Sequence, residues 1–201
     1  MGSGRIAKSL PLQVAAVCYR RRGTAIEFLL VNTNGGNKWT FPKGSTDPRL
    51  SHSQAAEREA AEEAGAMGTI EPRHFHLYIH SKGVFWQAGG VQEFVVKAFL
   101  MEVHQMRKPD ESNRKPTWFS PEEAKRRLAK GREVKYFHEL EAVIDRALER
   151  IQFHSELWGA YPGARIARTV KDAIVTTVQM TGSARLIGRE FCRMLASRIR
   201  I

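Results

Sequence analysis

Residues 44–65 read GSTDPRLSHSQAAEREAAEEAG, a polar loop that leads into a short acidic helix. Ser51 and Gln54 stand three residues apart, which is the spacing of a capping box at a helix N-terminus. Gly65 follows the last alanine of this helix, and glycine most readily adopts the left-handed conformation that ends helices. The sequence therefore predicts a helix from about residue 52 to residue 64.

The predicted helix carries three glutamates, Glu59, Glu62 and Glu63, at the i, i+3 and i+4 positions. This spacing places the three carboxylates on one arc of the helix. Like charges at this spacing destabilise a helix by roughly 0.2–0.5 kcal/mol per pair. A bound divalent cation would reverse that effect, because carboxylate oxygens are preferred ligands of Mg²⁺ and Mn²⁺. The alternative is a solvated face on which Arg58 and Glu62 form an ion pair, and helix spacing leaves both interpretations open.

Residues 38–44, KWTFPKG, predict a short strand that a proline and a glycine end in front of the acidic helix. Here the chain resembles the Nudix hydrolases, whose motif runs from a glycine through a glutamate to a Glu-Glu pair and a final glycine. The matching residues keep the family spacing throughout: Gly44, Arg58, Glu59, Ala60, Glu62, Glu63 and Gly65. The chain departs from the motif at Leu50, where the family has its first glutamate. Asp47 is the candidate to compensate for that glutamate, which usually ties the loop to the helix.

The resemblance covers about residues 12–150 and implies an α/β fold. This fold is a Nudix-like α/β/α sandwich with a mixed β-sheet, to which the periodicity beyond residue 150 adds a C-terminal helical extension. The predicted domains are a hydrolase domain of residues 1–150 and a basic helical extension of residues 151–201. The implied enzyme is a Nudix-type pyrophosphohydrolase that depends on Mg²⁺ or Mn²⁺ and acts on acid anhydrides. Its implied substrates are organic pyrophosphates of the diphosphoinositol polyphosphate or dinucleoside polyphosphate type.

Three other functions stay open beside this one. The chain could remove pyrophosphate from RNA 5′ ends, or it could be a general nucleotide pyrophosphatase. Because Leu50 replaces a family glutamate, it could also be a catalytically weak module that binds phosphorylated ligands or RNA. We expect a phosphorylated small molecule as the main partner, with nucleic acid less favoured.

The predicted site residues fall into three groups. The metal-binding group would hold the ion through carboxylates and a close backbone approach: Gly44, Glu59, Glu62 and Glu63. The catalytic group would contain the base, a guanidinium that orients the glutamates and an acidic residue outside the motif: Glu62, Arg58 and Glu93. The substrate group would bind phosphate: Lys43, Arg20, Arg22 and Lys82. For Glu93, strand alternation alone equally fits a solvent-facing residue.

Elsewhere the hydropathy pattern predicts strands at residues 12–19 and 25–31, joined by a tight basic turn at residues 20–23. Residues 74–80 alternate, with Phe75, Leu77 and Ile79 predicted to face the core. The opposite face, with three histidines and Tyr78, is predicted to be exposed and could line a substrate cleft. A strand at residues 91–103 and helices from Ser120 to about Gly131 and over 134–151 complete the domain.

The 201-residue chain is strongly basic, with a formal net charge of +11, so it would attract polyanions. Two cysteines, Cys18 and Cys192, show no paired or metal-ligand spacing, which favours a reducing compartment. The sequence has neither a signal-peptide core nor an apolar run of membrane-span length, so a cytoplasmic location is expected. Apolar stripes at helical spacing after residue 163 predict packing on the domain or a homodimer through the C-terminal helices, with an RNA or anionic-lipid surface as the alternative.

Overall fold

The computed structural model describes residues 10–33, 38–83 and 90–159 of the chain. Eight strands and three helices lie within these ranges: β1 (Leu12–Arg22), β2 (Ala25–Asn32), β3 (Trp39–Thr40), β4 (Lys43–Ser45), α1 (His52–Ala64), β5 (Ala66–Ile70), β6 (His76–Gly83), β7 (Val91–Met106), β8 (Thr117–Phe119), α2 (Pro121–Ala129) and α3 (Val134–Gly159). None of the helices in the described part of the chain combines the length and the apolarity that a membrane crossing requires.

The chain divides into two compact units, Met1–Ile151 and Gln152–Ile201. The first unit contains the whole sheet. Of the second unit, only the end of α3, up to Gly159, is described. The helical patterns beyond residue 159 and the homodimer contact expected there lie outside the described residues. The division into domains of residues 1–150 and 151–201 therefore stays a prediction.

The strands form one mixed sheet in the order β3-β2-β1-β7-β5, with β4 also paired to β1, β6 to β7 and β8 to β2. β1 and β7 run parallel, from Leu12 opposite Val95 to Tyr19 opposite Glu102. The remaining pairs are antiparallel. This register brings β4 and the start of β1 close to the part of β7 that pairs with β6.

Alternation along β1 divides the core into two layers, one on each face of the sheet. Val14, Ala16 and Cys18 face α1, where they meet four buried helix residues: Ala55, Ala56, Ala60 and Ala64. On the other face, Ala15 and Val17 pack against apolar residues of α2 and α3: Ala124, Leu128, Leu140, Val143, Ile144, Ala147 and Ile151. Helices therefore cover both faces of the sheet, and the predicted α/β/α sandwich is confirmed.

The acidic helix α1 begins and ends where its local signals predict. Ser51 accepts a hydrogen bond from the Gln54 backbone N–H, and the Gln54 side chain accepts one from the Ser51 N–H, which completes the capping box. Gly65 ends the helix with φ 66°, in the left-handed region. The four alanines let the helix lie close to the sheet. Glu63 is buried with them, whereas the side chain of Glu62 is 42% exposed.

Two predictions about the strands are wrong. Arg20 to Arg22 do not form a turn, because β1 continues through Arg22 and the chain reverses at Gly23 and Thr24. The faces of β6 are also the reverse of those predicted: Tyr78 is 1% exposed whereas Leu77 is 49% exposed. Tyr78 stands opposite Val96, which belongs to the core beneath α2 and α3, so the tyrosine ring takes the buried position.

Candidate active site

Gly44 brings the β4 backbone into direct contact with the acidic helix. It lies opposite Val14 in the antiparallel pairing of β4 with β1. A Cβ atom at this position would overlap both carboxylate oxygens of Glu59. Any other residue at position 44 would displace the Glu59 carboxylate, so glycine lets the β4 backbone and this carboxylate lie side by side.

Glu63 is the most buried of the three glutamates, with 3% exposure. Its Oε2 accepts a hydrogen bond from the Lys43 backbone N–H at 3.1 Å, and its Oε1 forms an ion pair with the Arg114 guanidinium. Burial raises the pKa of Glu63 to about 7, although Arg114 and the Lys43 N–H act in the opposite direction. Arg114 is itself held by Glu111 at 2.6 Å and by the Asn32 carbonyl at 3.3 Å.

Arg58 lies among the other two glutamates and the preceding loop. Its Nη2 is 3.7 Å from Glu59 Oε1, and its Nε is 3.7 Å from Glu62 Oε1. Its Nη1 donates a 3.0 Å hydrogen bond to Asp47. Burial, and then the charge of Glu62, raise the pKa of Glu59. The negative charge of the ionised Glu59 is therefore poorly compensated by its surroundings.

Beside the helix lies a cavity of about 540 Å³ whose wall includes Glu63 and Lys43. Cationic side chains outnumber carboxylates in its wall: Lys38, Lys43, Lys82, Arg114 and Arg132 stand against Glu63 and Glu133. Burial lowers the pKa of Lys43 to about 8, with Glu63 acting in the opposite direction. The predicted substrate residues Lys43 and Lys82 therefore share one cavity with Glu63.

His80 lies in the same wall, surrounded by cations. Burial, followed by the charges of Lys43, Arg132, Lys82 and Lys38, lowers the pKa of His80 to about 3, so its imidazole is neutral at physiological pH. Arg132 donates to the Leu128 carbonyl and, at 2.6 Å, to the Trp39 carbonyl. These backbone acceptors fix the guanidinium in place without neutralising it.

Lys38 and Arg132 are absent from the predicted site, whereas His80 belongs to the strand face that was expected to line a substrate cleft. The three residues come from the position before β3, from β6 and from the connection between α2 and α3. Nothing in the local sequence marks Lys38 or Arg132, and only the sheet register and the packing of α2 bring the three together.

The structure places Arg20 and Arg22 away from this cavity. Arg20 donates to Glu27 at 2.7 Å and stacks over the Trp118 ring, with its Cζ 4.3 Å from the ring centroid. Gln13 lines the cavity and Arg22 lies nine residues further along β1, a span of about 30 Å at roughly 3.3 Å per residue. The two arginines were expected in a turn that contacts phosphate, and the continuation of β1 through Arg22 separates them from this cavity.

Glu93 lines a neighbouring surface depression of about 340 Å³ together with Tyr136 and Lys135. It accepts hydrogen bonds from the Tyr136 hydroxyl at 2.6 Å and from Lys135 at 3.1 Å. These donors hold the start of α3 against β7. The described contacts of Glu93 join it to α3 rather than to the glutamates of α1.

The acidic helix carries side chains that are suitable ligands for a divalent ion, although these side chains do not already surround a single ion position. Its carboxylate oxygens suit Mg²⁺ or Mn²⁺, Glu59 is poorly compensated, and Gly44 leaves open backbone beside it. Within the described ranges, no three Asp, Glu, His or Cys side chains already converge on one point. Glu63 is engaged by Arg114 and Lys43 instead. The match between these residues and a divalent ion therefore rests on the chemistry of the ligands and on their charge.

An α/β/α sandwich whose acidic helix meets a glycine loop at a cationic cavity defines the class of Nudix-type pyrophosphohydrolases, enzymes that act on acid anhydrides. A family model described as NUDIX domain matches residues 10–140. The chain belongs to the NUDIX family.

Individual relatives agree with this assignment. The chain is 34% identical over 104 residues to a bis(5′-nucleosyl)-tetraphosphatase (asymmetrical) of Sus scrofa, covering 44% of this chain and 71% of that protein. A NUDIX hydrolase from Nitrosomonas europaea superposes with a TM-score of 0.53 at 21% identity, covering 71% of this chain and 90% of the other. An Ap4A hydrolase of C. elegans gives a TM-score of 0.50 at 21% identity, covering 71% of this chain and 99% of the other. At these identities, the two structures support the fold alone.

Proposed function

We propose that the protein hydrolyses a phosphoanhydride bond in a densely phosphorylated organic substrate, with the help of a divalent metal ion. One observation carries the proposal: Glu63 of the acidic helix lies in the wall of a cavity that five cationic side chains line. A phosphoanhydride placed there would have Glu63 on one side, with Glu59 and Glu62 next to it on the same helix, and cations for its phosphates on the other.

The charge of the cavity favours a substrate with several phosphates. Five cations against two carboxylates leave an excess of three positive charges in the lining. A cavity of this kind attracts polyanions and stabilises the charge of a phosphoryl group during transfer. Lys43 and Lys82 would bind phosphate as point charges, whereas the planar guanidinium of Arg132 would bind two phosphate oxygens at once.

The glutamates and Arg58 would divide the remaining work. Glu59, Glu62 and Glu63 would hold Mg²⁺ or Mn²⁺, which neutralises phosphate oxygens and lowers the pKa of a bound water. Glu62, whose side chain is 42% exposed, would either complete the ligand set or receive a proton from water. Arg58, at ion-pair distance from Glu59 and Glu62 without a hydrogen bond to either, would balance part of their negative charge, and Gly44 would keep space open beside Glu59.

Two substrate classes have specific support. A dinucleoside polyphosphate is favoured by the 34% identity to a bis(5′-nucleosyl)-tetraphosphatase. A diphosphoinositol polyphosphate is favoured by the density of cations around His80. A location in the cytoplasm, where such metabolites occur in a reducing environment, would suit the buried free thiol of Cys18.

A substrate panel tests this function directly. Phosphate or nucleotide release would be measured with Mg²⁺ and with Mn²⁺ on dinucleoside polyphosphates, diphosphoinositol polyphosphates, 5′-triphosphorylated RNA and simple nucleotide sugars. We expect turnover of one of the first two classes, at least 100-fold weaker in Glu63→Gln. Glu57→Gln, an exposed change on the same helix, is the matched control and should retain wild-type turnover. Binding of the panel with no hydrolysis above background would instead identify a binding module, and equal turnover in wild type and Glu63→Gln would contradict the role of Glu63.

A further inference from the structure

Asp47 lies in the loop between β4 and α1, and its carboxylate contacts two arginines, Arg49 and Arg58. Its side chain is 11% exposed. It accepts hydrogen bonds from the Arg49 backbone N–H at 2.9 Å and from the Arg49 guanidinium at 3.1 and 2.9 Å. It also accepts from Arg58 Nη1 at 3.0 Å. Asp47 is the sole acidic residue between positions 44 and 50, so it alone can link this loop to Arg58 through a carboxylate.

The contacts of Arg58 with its three neighbouring carboxylates differ in length. Its contact with Asp47 is a hydrogen bond, whereas Glu59 and Glu62 lie 3.7 Å from its Nη2 and Nε. At 3.7 Å neither contact is a proper hydrogen bond. The Nε atom is buried and has no hydrogen-bond partner among the described residues. The guanidinium is therefore hydrogen-bonded to the loop and lies at ion-pair distance from both glutamates, without a hydrogen bond to either.

We propose that Asp47 is a positioning residue that keeps Arg58 at ion-pair distance from Glu59 and Glu62 and prevents it from hydrogen-bonding to them, so that their oxygens stay available to a divalent cation. The inference rests on the proposed function, because it assumes that these glutamates bind the ion. Without Asp47, Arg58 can move the short distance to the glutamates and form charge-assisted hydrogen bonds with them. A guanidinium bonded there competes with the ion for the same oxygens.

The test compares Mn²⁺ binding, measured by electron paramagnetic resonance, in wild type and three variants. Asp47→Asn keeps the shape of the side chain and removes its charge, and we expect its Mn²⁺ affinity to fall at least ten-fold, the usual effect of losing a residue that orients metal ligands. Arg49→Ala removes the other partner of Asp47 and spares Arg58, so its affinity should stay within two-fold of wild type. Asp47→Glu keeps the charge on a longer side chain, so its Mn²⁺ affinity should lie between that of Asp47→Asn and that of wild type.

Competition between Arg58 and the ion can be distinguished from disruption of the loop between β4 and α1. If Arg58 competes with the ion, saturating Mn²⁺ should restore the kcat of Asp47→Asn to near the wild-type value, with hydrogen exchange of the α1 amides unchanged. Wild-type Mn²⁺ affinity in Asp47→Asn, or an equal loss in Arg49→Ala, would overturn the role of Asp47 and leave the proposed function standing. A wild-type protein that binds no Mn²⁺ would overturn both.

Discussion

At the scale of single residues, the position of the Glu59 carboxylate depends on Gly44. We expect Gly44→Ala to lower kcat/KM by about 100-fold, because the added Cβ would overlap the Glu59 carboxylate, and a displacement of about 1 Å has that effect. Steady-state kinetics measure this loss, and Ser45→Ala, at the exposed neighbouring position, should leave kcat/KM unchanged. A Gly44→Ala protein with wild-type kcat/KM would show that Glu59 is not needed in its present place.

Glu63 and Lys43 predict the pH dependence of the reaction. The pKa of Glu63 is raised to about 7, so below that pH the carboxylate becomes protonated and activity should fall. The pKa of Lys43 is lowered to about 8, so above that pH the amine loses its charge and phosphate binding should weaken. The kcat/KM profile should therefore be bell-shaped, and a higher Mg²⁺ concentration should shift its acidic limb to lower pH by favouring ionised Glu63.

Lys43→Arg provides the control for this profile, because arginine does not titrate in this range. The alkaline limb should disappear in that variant while the acidic limb stays. An alkaline limb that persists unchanged in Lys43→Arg would assign it to another group.

Residues of the site differ in whether their positions could be predicted from the sequence. Glu59, Glu62 and Glu63 lie within one helical turn, so their spacing alone brought them together. Lys38, His80 and Arg132 come from three distant segments, and their meeting depends on strand register and helix packing. The ion pair of Glu63 with Arg114 spans 51 positions (114 − 63) for the same reason. A linear pattern carries no information on such pairs.

At the scale of elements, α1 was predictable because its start and its end are both encoded locally. The end can be tested with Gly65→Ala, since Gly65 has φ 66° and a Cβ there would meet the Arg107 carbonyl oxygen. We expect the free energy of unfolding in urea to fall by more than about 2 kcal/mol, the upper value for left-handed backbone alone. Gly23→Ala is the matched control, because Gly23 has φ 63° and nothing within 4 Å of its Cβ position. Equal losses in the two variants would contradict a role for the Arg107 contact.

The strands show where local patterns fail. β1 extends through three consecutive arginines because strand pairing with β2 continues to Arg22 opposite Ala25. In β6, alternation identified the two faces but not which one is buried. Tyrosine and leucine both accept a core position, and the pairing of β6 with β7 decided in favour of Tyr78.

At the scale of the whole molecule, the net charge of +11 matters through its distribution. Lys82 and Arg132 line the cavity, whereas Arg22 lies at the far end of β1. We expect Lys82→Gln and Arg132→Gln each to raise KM for the preferred substrate about ten-fold, since a charge-assisted hydrogen bond contributes roughly 1.5–3 kcal/mol. Arg22→Gln removes the same charge and should leave KM within two-fold. An equal rise of KM in all three variants would mean that net charge, rather than the cavity, attracts the substrate.

The central claim is that the carboxylates of α1 hold a divalent ion that is required for phosphoanhydride hydrolysis. The most direct measurement compares the turnover of a dinucleoside polyphosphate by wild type and Glu59→Gln, each with Mg²⁺ and with excess EDTA. The account predicts turnover in wild type with Mg²⁺, its loss in EDTA and a decrease of at least about 100-fold in Glu59→Gln. Turnover that survives EDTA, or that is equal in the two proteins, would contradict it.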